Sequence, residues 1–185
     1  YAGLQGQYFM KKLLGIDVFT DIASEFRYND PVITNKTLAI FVSQSGETID
    51  TLMSMKYAKE KGAKTLAISN VLGSTITREA DNVIYTLAGP EISVASTKAY
   101  SSQVLVMYLL SLYMGAKLGK IEEKDYLKYI SDISLLKENV VKLISEKEKI
   151  HDIAKKIKDV KNGFYLGRGI DEKVAREGSL KMKEI

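Results

Sequence analysis

The sequence has no cysteine and no tryptophan, a single histidine (His151) and two prolines in 185 residues. Without cysteine there is no disulfide framework, no thiolate zinc site and no thiol nucleophile in this chain. One histidine cannot build a histidine metal cluster, and a Ser-His-Asp triad would have to use that one residue. Neither a metal nor a cofactor is therefore expected. Arginine is scarce, at positions 27, 78, 168 and 176 only. The formal charge of +4, from 27 Lys+Arg against 23 Asp+Glu, arises largely between Lys117 and Lys161. There lysines alternate with acids as they do on solvated helices. A nucleic-acid groove would cluster arginines and aromatics on one face, so no nucleic-acid partner is expected. Long apolar runs are missing too. The longest, Val104 to Ala116, is interrupted by Ser111 and falls short of the ~20 residues of a membrane span. With no membrane segment and no signal-peptide pattern, the expected compartment is the cytoplasm. The chain opens on Tyr1, not on Met, and reads as part of a longer protein.

What is present suits a packed core: 45% hydrophobic and 27% charged residues. Leu4 to Leu14 carries helical spacing and stops at Gly15. Ile16 to Phe19 alternates like a strand, and Ala23 to Tyr28 reads as a short turn or helix. Thr37 to Val42 is a continuous apolar, β-branched run of the kind buried on both faces of a sheet. Gly46 to Lys61 returns to a helical period, Thr65 to Ile68 gives a second buried strand, Ser74 to Ala80 a short helix and Val83 to Leu87 a third strand. This alternation predicts a three-layer α/β/α fold with a mainly parallel sheet, its three strands neighbours. Ser96 to Leu118 reads as one long helix, apolar nearly all round over Val104 to Leu110 and so buried. Glu122 to Lys158 predicts two charged amphipathic helices, broken near Lys149 or His151. Gly163 to Gly169 reads as a strand entering a glycine-rich turn, and Glu172 to Ile185 as a further helix.

Three constellations could carry chemistry. The first is Ser43-Gln44-Ser45-Gly46-Glu47-Thr48, between a buried strand and a helix. Hydroxyls of Ser43, Ser45 and Thr48, free backbone N–H groups and the positive end of the helix dipole make an anion site there. There is no Gly-Lys-Ser/Thr signature, which points to a sugar phosphate or mononucleotide and away from a triphosphate. The plainer alternative is that Ser45 or Thr48 only caps the helix. The second, Glu91 to Lys98, puts small polar residues before the long helix, at the carboxyl side of a strand where open α/β sheets bind ligands. It too could be a simple cap. The third is Glu177, Lys181 and Glu184, which at about 100° per residue fall within roughly 60° of one another on one helix face. Such a stripe can tune proton-transfer groups, or can be an ordinary exposed ion-pair row.

The runs Ala23-Ser24-Glu25-Phe26-Arg27-Tyr28, Ser43 to Thr48, Val94-Ala95-Ser96-Thr97-Lys98-Ala99-Tyr100, Leu166 to Gly169 and Glu177 to Glu184 stand in one order. Together they resemble the isomerase part of the glucosamine-6-phosphate synthase family, the glutamine–fructose-6-phosphate aminotransferases. That part consists of two sugar-isomerase (SIS) domains of flavodoxin-like architecture. The resemblance implies a first SIS domain over residues 1–120 that lacks its first strand, and a helical linker over 121–161. It implies the first strand and helix of a second, truncated SIS domain over 162–185. It also implies that Ser43, Gln44, Ser45 and Thr48 hold the phosphate of fructose-6-phosphate or glucosamine-6-phosphate, and that Val94 and Ser96 line the sugar. Glu184 would move the proton between C1 and C2, with Lys181 assisting and Glu177 a neighbouring pocket acid. Glutamine would be used by a glutaminase domain absent from these residues, and the protein would be a homodimer. Ser93 stands where the resemblance leads to glycine. With the family's ring-opening histidine and Schiff-base lysine absent, this stretch alone is not expected to make glucosamine-6-phosphate. Other SIS isomerases, deaminases or deglycases share the phosphate loop with different catalytic groups. A sugar-phosphate-sensing SIS module of a transcription regulator would bring a helix-turn-helix, and no basic recognition helix is visible.

Overall fold

A computed structural model describes all 185 residues. Three parallel strands, β1 (Leu38–Ser43), β2 (Lys64–Ser69) and β3 (Asn82–Tyr85), lie side by side in that order. Ala39 faces Thr65, Phe41 faces Ala67, and Ile68 in turn faces Ile84. Successive side chains of a strand point to opposite faces, so one register feeds two cores. Ala39, Phe41, Ala67 and Val83 meet Met55 and Ala58 of α3 (Ile49–Glu60) and Ile76 of α4 (Thr75–Glu79), with Phe26 of α2 (Ala23–Phe26) at the margin. Ile40, Val42, Ile68 and Ile84 meet Met10 of α1 (Ala2–Leu14) and Met107 of α5 (Lys98–Lys117). The three layers follow from that division.

Helices α1 and α5 pack closely because Gly6 presents no Cβ where Met107 lies; a methyl there would overlap the Met107 side chain. Along α5 the buried residues are Ala99, Met107, Ser111, Leu112 and Gly115. The helix is thus buried on one face only, with Leu109 and Tyr113 exposed, and not all round as its composition suggests. Ser111 is tolerated in that face because its hydroxyl donates to the Met107 carbonyl at 2.7 Å. No helix is long and apolar enough to cross a membrane.

Three expected elements form differently. Ile16 and Val18 pack onto the α1–α5 core, but their backbone pairs with no strand and Gln7 Nε2 donates to the Val18 carbonyl instead. Alternation there reports side-chain burial without a ladder. Residues 163–169 are also not a strand, because no neighbouring strand stands beside them, and Phe164 and Leu166 are exposed. The charged connector holds three helices, α6 (Glu123–Ser134), α7 (Leu136–Ser145) and α8 (Lys147–Ile157), and runs unbroken through Lys149 and His151. It breaks at Leu135 and Glu146, where Ser134 and Ser145 turn their hydroxyls onto the carbonyls three residues back, Ser131 and Lys142. Back-bonding of this kind competes with the helix and bends it. The last helix, α9 (Ile170–Glu184), lies against α1.

Candidate functional site

Strand β1 ends at Ser43, and the chain must turn sharply to enter α3. Gly46 makes that turn at φ 69° and sits against Ser74 and Ile76, where any Cβ would overlap. A left-handed conformation and a close approach coincide there, and glycine alone meets both without strain. Ser43 Oγ accepts the Gly46 N–H at 3.0 Å, Ser45 Oγ accepts the Glu47 N–H at 3.2 Å, and the Gly46 carbonyl accepts the Ile76 N–H at 3.0 Å. Glu47 braces the loop from outside. Its carboxylate accepts the Thr75 amide and the Thr75 hydroxyl, each at 2.7 Å. The hydroxyl bond first, then the amide bond, hold its pKa below the ordinary carboxylate value.

Thr48 is the N-cap residue of α3, yet its side chain makes no capping bond. Neither Ser45 nor Thr48 therefore spends its hydroxyl on the helix end. The amides of the first helical turn keep the polarity that makes a helix start attractive to anions.

Beside this loop opens a cavity of about 280 Å³, lined by Ser43, Gln44, Thr48, Ser96 and Glu177 together with Tyr1, Val42, Thr51, Tyr100 and Gln103. It lies at the carboxyl end of β1, the usual ligand position in an open parallel sheet. Its volume is near the lower end of ligand pockets, roughly 300–1,000 Å³. The loop supplies neutral donors and the helix terminus. Helix α5 and its lead-in supply Ser96, Tyr100 and Gln103, and α9 brings one carboxylate, Glu177. Ser96 is positioned by Glu91, whose Oε2 accepts the Ser96 hydroxyl at 3.2 Å and the Ala99 amide at 3.0 Å.

The remaining candidates lie outside the cavity. Ser45 is turned into its own loop. Val94 is 89% exposed. On α9, Lys181 Nζ lies 3.4 Å from Glu177 and 2.7 Å from Glu184. Its pKa is raised, first by the bond to Glu184 against a smaller cost of burial, with Glu177 adding to the rise. Residues missed from sequence include Thr51, Tyr100 and Gln103. Tyr100 and Gln103 stand at i and i+3 on one face of the helix start, a polar pair that helical spacing could have revealed, with Ser96 in the lead-in just before it.

A family model described as "SIS domain" matches residues 1–113. Over its whole length the chain is 98% identical to part of a glutamine–fructose-6-phosphate aminotransferase [isomerizing] of Fusobacterium nucleatum subsp. nucleatum, and 47% identical to the enzyme of that name from Caldanaerobacter subterraneus subsp. tengcongensis. It spans 30% of the length of each of these curated relatives. Among solved structures, the C-terminal domain of glucosamine-fructose-6-phosphate aminotransferase from Francisella tularensis superposes with a TM-score of 0.96 at 34% identity, over 100% of this chain and 52% of that one. The parallel sheet between helices, the site at its carboxyl edge and the match over residues 1–113 agree, and the chain belongs to the SIS domain family.

Proposed function

We propose that this chain binds a hexose 6-phosphate and serves the isomerisation step of a glutamine–fructose-6-phosphate aminotransferase. In that step the imine of fructose-6-phosphate becomes the aldose amine, glucosamine-6-phosphate. The observation that carries this reading is the meeting of Ser43, Gln44, Thr48, Ser96 and Glu177 in one cavity. The phosphate takes the end formed by residues 43–48, where Ser43, Gln44 and Thr48 line the cavity, the start of α3 offers free amides, and Ser45, whose oxygen accepts the Glu47 amide, keeps its O–H to donate. Ser96 adjoins the sugar, and Val94, exposed and outside the cavity of this chain, is assigned to the same sugar face.

Isomerisation takes a proton from C1 and returns one to C2 through an enediol-type intermediate, which suits a carboxylate acting as base and then acid. Glu184 is assigned that transfer although it lies outside the cavity of this chain, Lys181 keeps an ammonium between it and Glu177, and Glu177 is the acid that lines the cavity. The amino group comes from glutamine through a glutaminase domain, and the working assembly is a homodimer, in the same proposal.

Calorimetric titration with inorganic phosphate and with fructose 6-phosphate tests the anion end. A charge-assisted hydroxyl contact contributes roughly 1.5–3 kcal/mol, so Thr48→Ala should weaken both ligands about tenfold or more. Glu184→Gln should leave both affinities unchanged, because its role is proton transfer. Equal binding by wild type and Thr48→Ala would refute the phosphate assignment.

A further inference from the structure

Gln5, on α1, is 3% exposed. An amide so placed is costly unless it is hydrogen-bonded. Its Nε2 donates to the Tyr100 hydroxyl across the α1–α5 interface. That bond occupies an acceptor position of the phenol oxygen and leaves the phenol's own hydrogen free to donate elsewhere. The bond from Gln5 is the one side-chain hydrogen bond that Tyr100 makes, and Tyr100 stands in the cavity wall with Gln103 and Glu177. The hydroxyl keeps its proton: burial first, then the nearby Glu177 charge, raise its pKa above the ordinary tyrosine value, against a smaller opposing effect of Gln5. A half-buried donor held from behind in a cavity wall is poised for a ligand oxygen.

Charge decides which oxygen that is. A phosphate is drawn to the free amides in the first turn of α3, which also carries Asp50, while the Tyr100 wall offers it no cation: its one charged side chain is Glu177, paired with Lys181 at 3.4 Å. The group reaching the phenol is therefore uncharged.

Resting on the reading of this cavity as a sugar-phosphate site, we propose that Tyr100 contacts the sugar and not the phosphate. It donates its O–H to a hydroxyl or carbonyl oxygen of the bound hexose, and Gln5 is the positioning residue that fixes the phenol for this contact.

The test compares fructose 6-phosphate with inorganic phosphate by calorimetric titration of the 185-residue chain. Wild type, Tyr100→Phe, Gln5→Met and the double variant Gln5→Met/Tyr100→Phe are each titrated with both ligands. The readout is the ratio of the two affinities, which a purely structural bond would not move. One neutral hydrogen bond predicts a fall in this preference of about threefold to tenfold in Tyr100→Phe, with phosphate affinity held within about twofold. Gln5→Met should lower the preference by less, since the phenol remains but is no longer held. Tyr100→Phe alone leaves the Gln5 amide buried without a partner. The double variant removes that defect with two apolar side chains of suitable size, and it should keep the reduced preference. A double variant with wild-type preference, or one that fails to fold, would make the pair a structural bond and overturn the proposal. So would an equal loss of both ligands, which would place Tyr100 at the phosphate. A wild-type chain that binds fructose 6-phosphate no better than phosphate overturns the sugar-phosphate reading itself. Wild-type preference unchanged in Tyr100→Phe overturns the role of Tyr100 alone.

Discussion

Gly46 is the one glycine at which a left-handed φ and an overlapping neighbour coincide, and Gly46→Ala measures that demand. Two costs add. At φ 69° an alanine is forced into the left-handed region, at roughly 1–2 kcal/mol. Its methyl would also overlap Ser74 and Ile76, and overpacking in a filled interior costs about 1–3 kcal/mol more. Neither neighbour can retreat easily. Ile76 is fully buried, and its amide is tied to the Gly46 carbonyl at 3.0 Å. The sum is about 2–5 kcal/mol. Gly73 supplies the internal control, because it has φ 67° but nothing within 4 Å of a built Cβ. Gly73→Ala should therefore cost the strain alone, about 1–2 kcal/mol. In urea, with a slope of roughly 2 kcal/mol/M, Gly46→Ala should lower the unfolding midpoint by about 1–2.5 M and Gly73→Ala by less than about 1 M. Phosphate affinity should fall in Gly46→Ala at temperatures where it is still folded, and hold in Gly73→Ala. Equal midpoints for the two variants would refute the claim that the loop is wedged against α4.

Two further outcomes follow from the core and its edge. Asp81 accepts the Thr65 amide and hydroxyl at 2.8 and 2.9 Å and pairs with Lys59 at 3.2 Å, and its pKa falls from 3.8 to about 2, chiefly through the Thr65 amide. A lowered carboxylate stabilises above its unfolded pKa and loses that contribution as pH falls through the folded value. Urea titrations between pH 5 and pH 2 should show an acid decline over about pH 4 to 2 that is shallower in Asp81→Asn; an identical decline would discount the group. Leu112→Ala, at a fully buried position of α5, should lower unfolding free energy by about 2–5 kcal/mol through lost burial and a cavity. A change under 1 kcal/mol in denaturant unfolding would mean that this face of α5 is not packed as described.

The sheet was legible because parallel strands buried on both faces leave continuous apolar runs, and Leu38–Ser43, Lys64–Ser69 and Asn82–Tyr85 are such runs bounded by turns. The helix ends were less legible. Ser134 and Ser145 break the connector through their hydroxyls, a signal that a search for glycine or proline passes over. Residues 163–166 show the converse limit. Their apolar content is right for a strand, but a strand is a property of a pair of segments, and this one has no neighbour. At the site, the loop of residues 43–48 was visible as a composition. What no spacing revealed was the division inside it: Ser43 and Thr48 border the cavity, Ser45 serves the loop, and Glu47 turns outward to hold Thr75. Tyr100 and Gln5 lie 95 positions apart, so their pairing belongs to packing alone.

Glu177, Lys181 and Glu184 show why one pattern supported two readings. Helical spacing places them on a common face but says nothing about what covers that face. In the fold the face is graded. Side-chain exposure rises from 10% at Glu177 through 21% at Lys181 to 30% at Glu184, because the early part of the row is pressed toward α1 and the cavity while its end runs out to solvent. The same three groups are thus a site acid at one end and a surface ion pair at the other. Lys181 joins them. A carboxylate as buried as Glu177 needs a compensating charge, and the ammonium 3.4 Å away supplies it while Glu184 keeps that ammonium protonated from the outer side. Removing the lysine would leave two carboxylates facing one another along the helix, one of them in the cavity wall. In the proposed reading, the charge that an anionic ligand meets at Glu177 is set by Glu177 and Lys181 together, and the phosphate takes the end at residues 43–48, where the free amides of α3 stand beside one first-turn acid, Asp50.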